Sequence, residues 1–93
     1  MSGMIITAHV KDPTKWEQGF RSHKDLLKQG HVTVVHYTIT KNNDVVMYSE
    51  TDDDPQQAMK FMQSPETARA MEEDGVDRST LKMYPLDKDL KLS

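Results

Sequence analysis

The sequence predicts an α+β domain whose elements run β-α-β-β-α-β, and three observations carry that reading. Four short runs rich in β-branched residues, at 4–10, 31–40, 44–50 and 80–86, have the length and composition of strands. Asp12-Pro13, Asp54-Pro55 and Ser64-Pro65 each join a capping side chain to a proline, the pairing that starts a helix. The stretches behind those starts repeat apolar residues at helical spacing, and each lies between two strands.

Taken in order, Met4–Val10 is the first strand, stopped by Lys11-Asp12-Pro13. Trp16, Phe20, His23 and Leu27 follow at steps of four, three and four, so they share one helical face. Gly30 is expected to end that helix as its left-handed residue. His31–Thr40 and Asp44–Glu50 form a hairpin, and Asn42-Asn43 suits a two-residue turn. Such a turn would set Thr38 opposite Met47, Tyr37 opposite Tyr48 and His36 opposite Ser49.

The next stretch holds Glu50 and the run Asp52-Asp53-Asp54, which at first sight resembles a cation site. A calcium loop needs alternating acids, a central glycine and a distant glutamate, whereas these acids are consecutive and meet Pro55 at once. Helix initiation is the favoured reading, with Asp54 as cap, Gln57 at capping-box spacing, and Ala58, Phe61 and Met62 facing inward. The helix restarts at Ser64-Pro65, buries Ala68 and Met71, and closes at Gly75. Thr80–Leu86 is the last strand, and 87–93 is a charged tail that frays or lies across a neighbouring subunit.

This order is the split βαβ, or ferredoxin-like, arrangement: a four-stranded antiparallel sheet with helices on one face. The strands carry apolar residues at both parities. Ile6, Ala8 and Val10 oppose Ile5 and Thr7, and Val35, Tyr37 and Ile39 oppose Val34. One helical layer covers one face only, so a second sheet is expected on the other.

Composition narrows the function. With 93 residues the chain is one domain, core about 4–86, with a thin core and hence a prior for self-association. The absence of cysteine excludes thiolate chemistry and disulfides, and a net charge of −3 without a basic cluster argues against nucleic acid. No apolar run reaches bilayer length and the first residues lack the signature of a signal peptide, so a soluble cytoplasmic protein is expected.

The segments His9–His23, with Asp12-Pro13, Trp16 and Phe20, and Asp52–Val76, with Asp54-Pro55, Ser64-Pro65 and Gly75, resemble the dimeric α/β-barrel superfamily, in particular the small antibiotic biosynthesis monooxygenase-like proteins. The resemblance spans about residues 4–86. It implies a homodimer packed sheet against sheet, and a pocket between sheet and helices. The superfamily includes cofactor-free monooxygenases, haem-degrading enzymes and isomerases. Its oxygenases use Asn, Trp and Tyr around a quinol-like substrate, and its haem degraders a first-strand Asn with a helical His. Here both asparagines, Asn42 and Asn43, stand in the hairpin turn, so no catalytic residue is carried over.

The residues themselves offer candidates. His9 and His36 share a strand parity with Thr38 and, in the two-residue-turn register, with Ser49, while His23 shares a helical face with Trp16. These six line the expected ligand pocket, where imidazoles could move a proton. The plainer reading is that each histidine fills space and that Trp16 and Phe20 are core. Glu66, Glu72, Glu73 and Asp74 read as a solvated acidic run. No HExxH or HxH spacing supports a metal, and no Ser-His-Asp order, phosphate loop or dinucleotide fingerprint is present. The expected function is binding of a small apolar or aromatic ligand, without cofactor or metal. The alternatives are a cofactor-free monooxygenase, cyclase or isomerase acting on a phenolic substrate, and a structural dimerisation module.

Overall fold

A computed structural model describes residues 2–92. The elements are β1 (Ser2–Val10), α1 (Pro13–Ser22), α2 (Lys24–Gln29), β2 (Val32–Ile39), β3 (Asp44–Thr51), α3 (Pro55–Met62), α4 (Pro65–Glu73) and β4 (Val76–Pro85). The strands form one antiparallel sheet in the order β2-β3-β1-β4, which is the ferredoxin-like topology. Each helical stretch of that plan is a pair of short helices.

The cap-and-proline starts hold. Asp12 Oδ1 accepts from the amides of Thr14 and Lys15 at 3.1 and 3.2 Å, Asp54 from that of Gln57 at 2.8 Å, and Ser64 Oγ from that of Thr67 at 3.3 Å. Each satisfies a donor that the first helical turn leaves free, beside a proline that needs no partner. Asp53 pairs instead with His31, Oδ1 to Nδ1 at 2.9 Å.

Helix ends depart from expectation. The first helix breaks at His23, which is at once the C-cap of α1 and the N-cap of α2. Gly30 has an ordinary φ of −83°, and His31 takes the left-handed turn at φ 56°. Gly30 is a glycine for lack of space: a Cβ there would collide with the Phe61 ring. Gly75, at φ +77°, does close α4 as the sequence suggests.

The hairpin corrects the expected register. Only Asn43 adopts positive φ, at 63°, and the loop holds three residues, Lys41, Asn42 and Asn43, between Thr40 and Asp44. Pairing therefore slips by one: His36 faces Tyr48, Tyr37 faces Met47, Thr38 faces Val46, and Ser49 faces Val35. A slip of one residue sends a side chain to the other face of the sheet. Tyr37 and Tyr48 are consequently on opposite faces. Tyr37 packs edge-on to Trp16 at 5.4 Å, and Tyr48 stacks on His36 at 6.4 Å.

The helices lie on the face built from Ile6, Ala8, Val10, Val35, Val45 and Met47. Val10, Trp16, Val45 and Met47 form the buried core, ringed by Phe20, Val35, Tyr37 and Val76. Between Thr7 and His9, strand β4 bulges, setting Arg78, Ser79, Thr80 and Leu81 against Ala8 alone. Thr80 Oγ1 replaces the missing ladder partner, accepting from the His9 amide at 2.8 Å.

Candidate functional site

Between the sheet and the helices lies a cavity of about 110 Å³. The sheet contributes Ile6, Val35, Met47 and Ser49; α1 contributes Trp16 and Phe20, with His23 at its end. Phe61, Met62, Thr67, Met71 and Asp74 close it from α3, α4 and the α4 cap. Almost all of this lining is hydrocarbon. The polar side chains among it are His23, Ser49, Thr67 and Asp74.

Two of those four form an ion-pair contact. His23 Nδ1 lies 3.2 Å from Asp74 Oδ2, and His23 Nε2 lies 3.9 Å from Glu73 Oε2. The Asp74 side chain is only 9% exposed, against 62% for Glu73. Burial pushes the Asp74 carboxyl above its ordinary value, and the His23 charge pulls it part of the way back. Gly19 makes the approach possible, since a Cβ there would collide with Asp74 Oδ1. A glycine inside a helix costs about 0.5–1 kcal/mol relative to alanine, so close approach is the return for that loss.

Trp16 is 4% exposed and stacks on Phe20 with ring centroids 5.0 Å apart. Its indole serves as core and cavity wall together. Beyond it, Tyr37 donates its hydroxyl hydrogen bond to Glu17 Oε2 and accepts one from Arg21 Nε at 3.1 Å. Burial first, and the Glu17 bond second, raise the Tyr37 hydroxyl above its usual value.

The six residues singled out in the sequence thus divide between two places. Trp16, His23 and Ser49 meet at the cavity. His9, His36 and Thr38 lie on the opposite face of the sheet, with Tyr48 and Val46 as cross-strand neighbours of the last two. There His9 Nδ1 lies 3.0 Å from Asp44 Oδ1, and Tyr48 donates to Glu50 Oε1 at 2.8 Å. Asp74 is the residue that sequence reasoning missed, because it ends an acidic run of the kind that normally faces water. Its signal was Gly19, an internal helix glycine four residues before His23.

An antiparallel sheet in the order β2-β3-β1-β4, roofed on one face by paired helices, is a ferredoxin-like fold. The solved structures agree. An antibiotic biosynthesis monooxygenase candidate from Bordetella bronchiseptica superposes with a TM-score of 0.75 at 12% identity, over 96% of this chain and 97% of that one. SnoaB, a cofactor-independent oxygenase from Streptomyces nogalater, gives 0.71 at 11% identity, over 98% and 95%. A further monooxygenase candidate from Deinococcus radiodurans gives 0.68 at 10% identity, over 100% and 97%. At these identities the likeness is one of fold. No family model matches the sequence, and no curated protein matches it. Among the described residues no helix is long and apolar enough to cross a membrane.

Proposed function

We propose that this chain is a small-ligand-binding protein that acts as a homodimer and holds an apolar or aromatic molecule between its sheet and helices. The observation that carries this reading is the cavity with His23 and Asp74 at its wall. Apolar lining left unpacked around about 110 Å³ forgoes dispersion contacts and burial. A domain this small has little stability to spare, so a void kept beside a buried acid argues for an occupant. Trp16, His23 and Ser49 are the ligand-side residues. His9, His36 and Thr38 go with the other face, where Ile5, Val34 and Val46 are the apolar surface that a second sheet would cover.

A second reading, a cofactor-free oxygenase, cyclase or isomerase acting on a phenolic substrate, is favoured by the same pair. An imidazole held by a buried carboxylate beside a ligand pocket has the arrangement of a general base. SnoaB, which shares the fold, is a cofactor-independent oxygenase. Native mass spectrometry of freshly purified protein at low micromolar concentration tests both. A dimer carrying added mass supports the binding reading, and conversion of that mass in air moves the balance to the enzyme. A clean monomer removes the dimer, and with it the argument from the second apolar face.

A further inference from the structure

We propose that Asp74 sets the specificity of the cavity, selecting a molecule no larger than a single ring that carries a hydrogen-bond donor and rejecting carboxylates. The inference rests on the cavity being a binding site, and goes on to name what the site takes.

Size is the first argument. A dry apolar cavity of about 150 Å³ accepts benzene, so one of about 110 Å³ leaves room for one ring and only if the lining gives slightly. Met62 and Met71, in the wall, are the unbranched side chains able to do so. A fused two-ring molecule exceeds that allowance.

Charge is the second. The wall is hydrocarbon except where His23, Ser49, Thr67 and Asp74 reach it. Thr67 Oγ1 is engaged by Ser64 Oγ at 3.0 Å. His23 places its Nδ1 against Asp74 Oδ2 and its Nε2 towards Glu73. A carboxylate offers about four acceptor positions, and His23 occupies one of those on Asp74. The Ser49 and Thr67 hydroxyls can donate as well as accept, so Asp74 is the one acceptor-only side chain among the described residues of the wall, set in surroundings poor in water where a hydrogen bond to a charge is strong. A ligand hydroxyl or amine donates to it. A ligand carboxylate would instead meet the Asp74 carboxylate at the wall, with the His23 imidazole already turned towards that acid.

Four probes test this by ligand-observed NMR competition on the intact protein: phenol, toluene, benzoate and 1-naphthol. Phenol is expected to bind at least about tenfold more tightly than toluene, the worth of a hydrogen bond to a charged acceptor. Benzoate and 1-naphthol should show no displaceable binding. In Asp74→Asn, whose side chain can also donate, the preference for phenol over toluene should fall below threefold and benzoate should begin to bind. The wild-type ranking stands as a test even if that variant folds poorly. Equal binding of phenol and toluene overturns the specificity while leaving the cavity as a site. Tightest binding by benzoate overturns the charge argument, and by 1-naphthol the size argument. No binding by any of the four removes the site itself.

Discussion

The two faces of this sheet are built from the same four strands and have opposite fates. On the helix side Ala8, Val10, Val45 and Met47 are all 8% exposed or less. On the other side Val46 is 37% exposed, and His36 and Thr38 are exposed beside it. The composition differs less than the burial does: Ile5, Val34, Val46 and Tyr48 would serve in a core. What separates the faces is the pair of helical segments, and what holds those segments down is the Trp16–Phe20–Tyr37 cluster and the contact of His23 with Asp74. One face is finished within the chain. The other has the chemistry of an interface.

The covered face should be the more fragile. Trp16→Ala removes the largest buried side chain of the core and should cost about 3–5 kcal/mol in urea unfolding. Gly19→Ala comes next. Its methyl group would displace the Asp74 carboxylate, so a loss of about 1–3 kcal/mol is expected although alanine is the better helix former. The sign should reverse on an Asp74→Ala background, where Gly19→Ala should gain roughly 0.5–1 kcal/mol. A Gly19→Ala loss that persists there would mean that Asp74 is not what the glycine accommodates.

How much of this contrast could be read beforehand follows from how far apart the deciding residues lie. The three helix starts were legible because a cap and its amides are within three residues of each other. The assignment of faces was not. Asn42-Asn43 accommodates a two-residue or a three-residue loop, and the choice moves His36 away from Ser49 and Tyr37 away from Tyr48. Both parities being apolar, alternation gave no second vote. The β4 bulge opposite Ala8 depends on Thr80 reaching the His9 amide across the sheet, 71 residues away, and has no local mark. Asp74 was hidden by its acidic neighbours, although Gly19 and His23, one helical turn apart on α1, both pointed to something close above them.

The open face should respond differently. Val46→Asp puts a charge at its centre without touching the cavity, and it should change the stability of the folded subunit by less than about 0.5 kcal/mol. Its effect should appear in association: at least a tenfold weaker dimer by sedimentation, with an unchanged far-ultraviolet spectrum. A Val46→Asp protein that associates as the wild type does would show that this face is not the contact. A Thr38→Asp substitution, one strand across, should repeat the effect if it is.

The smallest difference is one of pH, and it contrasts two aspartates on either side of Gly75. Asp77 is held below its ordinary value, chiefly by the Ser79 hydroxyl at 2.6 Å and also by the Ser79 amide. Its contribution is present above about pH 4 and lost as the pH falls. Asp74 is raised, burial outweighing the pull of His23. The folded state therefore keeps the Asp74 proton where the unfolded chain has released it. Stability from this group is complete below about pH 4 and is lost as the pH rises through the folded value. Asp74→Asn should abolish that fall, and Asp77→Asn should abolish the opposing rise, in urea midpoints taken between pH 3 and 6. A His23→Gln background removes the imidazole that restrains the Asp74 carboxyl, so there the fall should widen towards higher pH. If His23→Gln leaves the window unmoved, the two side chains are not electrostatically joined, and the acid at the cavity wall stands alone.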